Sequence, residues 1–200
     1  MPLIPSQMTS LMMTKLSSSE IAGQKANPML TAVSSAVCSY LLSAAVVQSI
    51  NQVLGPGAGT YTGKIVGCIP TTMSSLMMTK TTSAKLVGKD TRRFFDAISF
   101  GICQSLMTTA LAQGVVIGGG PGVGQGKITA LVPSTLQNMI FSSLPGKKLQ
   151  GSKINPFLSA IAFGICNHIM SAAVVQTICI GAVGIPPILI PAAAGPGKIV

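Results

Sequence analysis

Acidic side chains are nearly missing: Glu20, Asp90 and Asp96 are the only three in 200 residues. There is one histidine, His168, and no tryptophan. So sparse a set excludes most proton-transfer chemistry, because no two carboxylates stand at a spacing that suggests a glycosidase-type pair. Cys166 and His168 are two apart, which turns them to different sides of a helix and leaves no nucleophile and base in register. No catalytic residue, cofactor or metal site is expected. The five cysteines, Cys38, Cys68, Cys103, Cys166 and Cys179, have no CxxC spacing and are odd in number, which disfavours a zinc site or a dense disulfide framework. The opening Met-Pro-Leu-Ile-Pro lacks the basic start and apolar run of a signal peptide. A chain made and kept in a reducing cytoplasm until it assembles is the expectation.

Charge of either sign is also scarce. Charged residues make up 8% of the chain, against roughly 25% in ordinary soluble domains. With 48% hydrophobic residues the mean hydropathy still reaches +0.63, because Ser, Thr, Gly and Gln stand where charge usually does. Such an exterior is expected to be covered by other subunits, partners or lipid.

The charge that is present is lopsided, at +10 net, which raises nucleic acid or an anionic membrane as partners. It is thinly spread. Arg92-Arg93 and Lys147-Lys148 are the densest pairs, with Lys85, Lys89 and Lys153 nearby, and they are the candidate contacts for an anion or partner. Nothing in the sequence supplies stacking aromatics for base readout, so contact with nucleic acid would be nonspecific.

The strongest positive signal is internal repetition. Ile4–Lys15, IPSQMTSLMMTK, returns as IPTTMSSLMMTK at Ile69–Lys80, 65 residues on, and as the worn VPSTLQNMIF at Val132–Phe141, a further 63 on. The segments ending at Gln48, Gln113 and Gln176 keep the same two offsets. GPG motifs at Gly55, Gly120 and Gly195 close each unit, the third after an insertion that includes Ile185, Pro186, Pro187 and Pro191. Three tandem repeats follow, 1–67, 68–130 and 131–200. The sequence predicts a mainly α chain in which each repeat has a short amphipathic segment, one long helix, a glycine-rich turn and a short strand-like tail, arranged about a pseudo-threefold axis.

The long helices are expected to start at Asn27-Pro28, at Asp90 or Thr91, and at Asn155-Pro156, where a cap or an early proline favours initiation. They are expected to end at the glycines after Leu54, Ile117 and Val183. Within them Cys38, Cys103 and Cys166 are followed at +3 by Leu41, Leu106 and Ile169, at +7 by Ala45, Ala110 and Ala173, and at +10 by the three glutamines. Spacings of 3, 4 and 3 share one helical face. That face is read either as an ordinary core stripe with Gln48, Gln113 and Gln176 just outside it, or as an interface where the three amides meet about the axis. The methionines Met8, Met12, Met13, Met73, Met77 and Met78 are either filler against the chain's own helices or docking groups for neighbours.

Two motifs are set aside. The glycine turns that end in Gly-Lys lack the Ser or Thr that a phosphate loop needs after its lysine, since Ile65 and Ile128 stand there. The charge-free stretches 26–63, 97–126 and 154–197 are long enough to span a bilayer, and an integral membrane or pore-forming protein is the alternative reading. Against it, the first two helices carry polar side chains in nearly every turn. Three tandem spans would also place equivalent loops on opposite sides of the membrane.

Low charge, helices rich in Ser, Thr, Gly and Ala, and GPG turns from Gly55-Pro56-Gly57 to Gly195-Pro196-Gly197 resemble virion structural proteins of large tailed bacteriophages, especially small tail and baseplate components. The resemblance is one of style and transfers no functional residue. It implies a non-enzymatic assembly protein located in the virion, made in the host cytoplasm, whose partners are other virion subunits in a symmetric assembly.

Overall fold

A computed structural model describes residues 3–19, 25–53, 58–83, 88–117, 122–144, 153–179 and 195–199. Among them run six helices, α1 (Pro5–Ser17), α2 (Ala26–Ala44), α3 (Pro70–Ser83), α4 (Thr91–Thr108), α5 (Pro133–Ser143) and α6 (Ile154–Ala172). Six strands accompany them: β1 (Val46–Val53), β2 (Ala58–Val66), β3 (Leu111–Ile117), β4 (Gly122–Thr129), β5 (Val174–Cys179) and β6 (Gly195–Ile199). The order helix, helix, strand, strand is traversed three times.

This overturns the expected mainly α chain with one long helix and a strand-like tail per unit. Each short Met-rich segment is a helix in its own right, and each long helix stops some ten residues early, at Ala44, Thr108 and Ala172. At Ala45 and Ala173 the backbone turns extended, with φ −72°, ψ 125° and φ −67°, ψ 126°. The following residues, VVQSINQV, LAQGVVI and VVQTIC, are rich in β-branched side chains that favour a pleated surface. The glycines expected to end the long helices, after Leu54, Ile117 and Val183, lie outside the described residues; the segments on either side of 54–57 and of 118–121 are paired strands, and Gly195-Pro196-Gly197 falls within β6.

The six strands close into an antiparallel barrel in sequence order, β6 returning to β1. Lys64 stands opposite Gln48 on one side and Leu111 on the other; Lys127 opposite Gln113 and Val174; Lys198 opposite Gln176 and Val46. Leu111, Val174 and Val46 each lie two residues before a glutamine, so the register advances by the same step at β2–β3, β4–β5 and β6–β1. A barrel of six strands is narrower than one of eight, whose interior side chains just fill. Tyr61, 1% exposed, occupies that interior and donates its hydroxyl to the Val175 carbonyl at 3.3 Å. Glycines make the space for it. A Cβ on Gly126 would lie 2.3 Å from the Tyr61 hydroxyl and 2.2 Å from the Gln113 carbonyl, and one on Gly114 would lie 2.2 Å from the Gln125 carbonyl.

The helices form a ring in which each packs on its neighbours in the chain and α6 packs on α1. Pro5 and Pro133 occupy the first turns of α1 and α5, where a missing N–H costs nothing, and the preceding Ile4 and Val132 are extended as proline requires. The longer helices start a residue or two before the expected points, at Ala26 and Ile154, and no side chain caps them. Asp90 is the N-cap of α4, as the sequence suggested, again without a side-chain cap.

Met8, Met12, Met73 and Met77 are buried, and Met13 and Met78 pack against the same core. The methionines are thus filler within the chain. Met12 Sδ accepts from the Ser34 hydroxyl and Met77 Sδ from that of Ser99, both at 3.5 Å. One continuous hydrophobic cluster runs from the ring into the mouth of the barrel, reaching Val47, Ile65, Ile128 and Ile199.

Candidate interaction surfaces

The residues singled out by repetition are dispersed by the fold. Cys38, Cys103 and Cys166 remain on the long helices and are buried, with Leu41, Leu106 and Ile169 beside them in the core. Ala45, Ala110 and Ala173 are buried at the helix-to-strand junctions. Gln48, Gln113 and Gln176 are exposed on the outer wall of the barrel. A helix would have stacked Ala45 and Gln48 on one face; in an extended chain an odd spacing sends them to opposite faces. The amides therefore do not meet about an axis, and each stands opposite a lysine instead.

Arg92 and Arg93 are exposed at the start of α4, and Arg93 reaches Asp90 at 3.7 Å, the only ion pair among the described residues. Lys147 and Lys148 lie outside the described residues, as do Lys85 and the third-unit insertion. The other described acid, Asp96, accepts a hydrogen bond from the buried Ser74 hydroxyl. Beside it an open groove of about 620 Å³ runs between α4 and α5, lined by Arg93, Asp96, Phe100 and Ser142. A second, of about 400 Å³, follows the seam of α1 and α6 past Ser10, Thr14 and His168.

His168 is 2% exposed, and burial pushes its pKa down. Its Nε2 accepts from the Ile4 N–H at 3.0 Å, an acceptor role that requires the neutral ring. The Tyr40 hydroxyl, at the corresponding point on α2, accepts from the Ile69 N–H at 2.5 Å. Both satisfy the residue at the entrance of the next short helix around the ring. The third such position holds Ser105, whose hydroxyl pairs with Thr109 in its own helix at 3.3 Å. Sequence reading assigned no role to Tyr40, and its place equivalent to His168 was the signal available.

Three of the buried thiols are held neutral, whereas hydrogen bonding to Cys103 lowers the fourth, Cys68. Burial raises Cys38 to about 11 and Cys166 to about 12, while hydrogen bonding to Cys68 and then burial raise Cys103. No group of three or more His, Cys, Asp or Glu able to hold a metal occurs among the described residues.

What the geometry leaves facing outward is a belt around the barrel. Lys64, Lys127 and Lys198 are exposed, each beside an exposed glutamine, while Ile65, Ile128 and Ile199 turn inward. Val46 and Val115 stand exposed on the same wall, at 42% and 51%. No strand residue is acidic. The described residues thus form a ring of six helices seated on a closed six-stranded barrel. No protein family, curated protein or solved structure matches it.

Proposed function

We propose that the protein is a non-enzymatic structural component of a viral particle, of the kind found in phage tails and baseplates, held among other subunits. The observation that carries the reading is the character of its exterior. Outward positions on ring and barrel hold hydroxyls, amides and large apolar groups, among them Leu42, Ile69, Phe100 and Val132 at 41–54% exposure, where an isolated monomer in water would carry mixed charge. The one histidine is engaged as a buried acceptor, which is a structural task. Ala45, Ala110 and Ala173 are buried within the chain, so contacts with neighbours belong to the outer wall and the ring edge.

The alternative, a membrane or pore-forming protein, draws on α6, which is long and apolar enough to cross a bilayer, although half of its apolar window is buried in the molecule. The barrel argues against it. As described, its strands run five to nine residues, and only β2 reaches the lower end of the 9–11 or so a membrane strand needs. Val47, Ile65, Ile128, Val175 and Ile199 face in and the lysines and glutamines face out, with Val46 and Val115 the exposed apolar residues between them, unlike the continuous apolar band of a barrel set in lipid. Fractionation of infected cells and purified particles tests the proposal: fixed stoichiometry in particles is expected, and recovery only with membranes overturns it.

A further inference from the structure

The outer wall of the barrel repeats one arrangement three times, and within it, among the described residues, only Gln113 has a side-chain partner on the wall, its Oε1 accepting from the Thr129 hydroxyl at 3.3 Å. Lys64, Lys127 and Lys198 sit on every second strand, β2, β4 and β6, and each has the same two cross-strand neighbours in kind: a glutamine on one side and an apolar residue, Leu111, Val174 or Val46, on the other. Repeating one register step around a closed barrel carries the three lysines to one level, about a third of a turn apart. Among the described residues none has a counter-charge, because no strand carries an acid, Asp90 faces Arg93 and Asp96 faces Ser74.

We infer that this belt is a docking surface for three identical acidic segments of one partner protein, each placing a carboxylate on one lysine. The inference rests on the assembly reading above and names its partner chemistry. Each lysine supplies the charge, and the adjacent glutamine offers a donor and an acceptor to the backbone of the incoming segment. The apolar neighbour, exposed at Val46 and half-buried at Leu111 and Val174, gives the segment something to cover. Three like sites on one chain match a homotrimer, since symmetric partners bind like surfaces and the second and third contacts then form within one complex. A closed barrel has no free edge, so the partner cannot add as a strand and must dock by side chains. A polyanionic backbone is a poorer match. Nucleic acid affinity grows with the number of phosphates neutralised along a track, and here single lysines alternate with uncharged residues around a circumference.

The probes are a hexaglutamate peptide, free and fused to a trimeric coiled coil, with an oligothymidylate and phosphatidylglycerol vesicles as competitors. The trimeric peptide is expected to bind one-to-one and roughly 100-fold more tightly than the free peptide. Lys64→Glu, Lys127→Glu and Lys198→Glu should each weaken it to a similar extent, and the triple variant should abolish it. A Lys→Gln triple variant with unchanged melting temperature controls for folding. The inference is overturned if trimer and free peptide bind alike, if the triple variant binds as wild type does, or if oligothymidylate or the vesicles bind more tightly through the same lysines. Particle incorporation separates the two proposals: a wild-type chain in particles with an equally incorporated triple variant sinks the belt alone. A chain missing from particles whose belt still binds the trimer sinks the assembly reading alone.

Discussion

The backbone N–H of Ile4 donates to Nε2 of His168 at 3.0 Å across 164 residues of sequence. The bond joins the entrance of α1 to the C-terminal end of α6 and so latches the two helices that close the ring. His168→Phe keeps most of the bulk and removes the acceptor, which should cost about 1–3 kcal/mol for the N–H left behind. Tyr40→Phe should cost a similar amount through Ile69. Thermal melts of the two variants measure this, and a melting temperature within error of wild type for both would refute it. His168→Ala adds a cavity and should be worse than His168→Phe.

The same bond sets a pH dependence. The folded pKa of His168 lies below its ordinary 6.5, so the unfolded chain binds the proton more readily. Stability should be level above about pH 6.5 and fall as the pH drops below it, by up to about 1.4 kcal/mol per unit. The thiols act at the other end. Cys38, Cys103 and Cys166 are raised from 9.0, so their contribution is complete below pH 9 and is lost as the pH rises toward about 11, where Cys38 ionises. Urea midpoints from pH 4 to 11 should trace a plateau between these limits, and His168→Phe should flatten only the acid limb.

Gly67 and Ala130 lie at matching points where a strand turns into a short helix, and both have left-handed backbones, at φ 74° and φ 64°. Nothing lies within 4 Å of a Cβ built on Gly67, so Gly67→Ala tests the dihedral alone and should cost about 1 kcal/mol. Ala130→Gly relieves the same strain, partly offset by a freer unfolded chain, and should raise stability by up to about 1 kcal/mol. Equal and negligible effects in calorimetry would contradict both.

Gly101 and Gly164 mark the closest approaches of α4 to α5 and of α6 to α1, yet they should not respond alike. A Cβ on Gly101 meets the Ile140 backbone nitrogen at 2.7 Å, whereas one on Gly164 meets chiefly the Met12 Cγ at 2.3 Å, a flexible side chain. Gly101→Ala should therefore cost about 3 kcal/mol or more and Gly164→Ala about half as much, because Met12 can turn aside and Ile140's backbone cannot. Ala36 is already accommodated, fully buried, at the corresponding place in α2. Chemical denaturation of the pair decides it; a larger loss at Gly164 would contradict this account.

The sequence by itself determined the recurrence of segments at offsets of 65 and 63, a helix start at Asp90 or Thr91, which the structure resolves to an N-cap at Asp90, and the absence of a phosphate-loop hydroxyl. These are local matters of residue type and spacing. It also carried the lysines of the belt, read only as part of short tails. It misjudged the stretch from Ala45 to Val53 and its counterparts, because Cys38, Leu41, Ala45 and Gln48 keep helical spacing while the β-branched run that follows favours a strand. Local preference left that conflict open. Tertiary structure decided it, since closing a barrel satisfies every strand through partners distant in sequence, β6 on β1 above all, and a helix there would have left the other hairpin strands unpaired. The same closure turned Gln48, Gln113 and Gln176 outward beside Lys64, Lys127 and Lys198, and it brought His168 to Ile4. Gln48–Lys64 and Gln113–Lys127 are hairpin neighbours whose register the strand pairing sets, whereas His168 and Ile4, 164 residues apart, meet only because the ring closes.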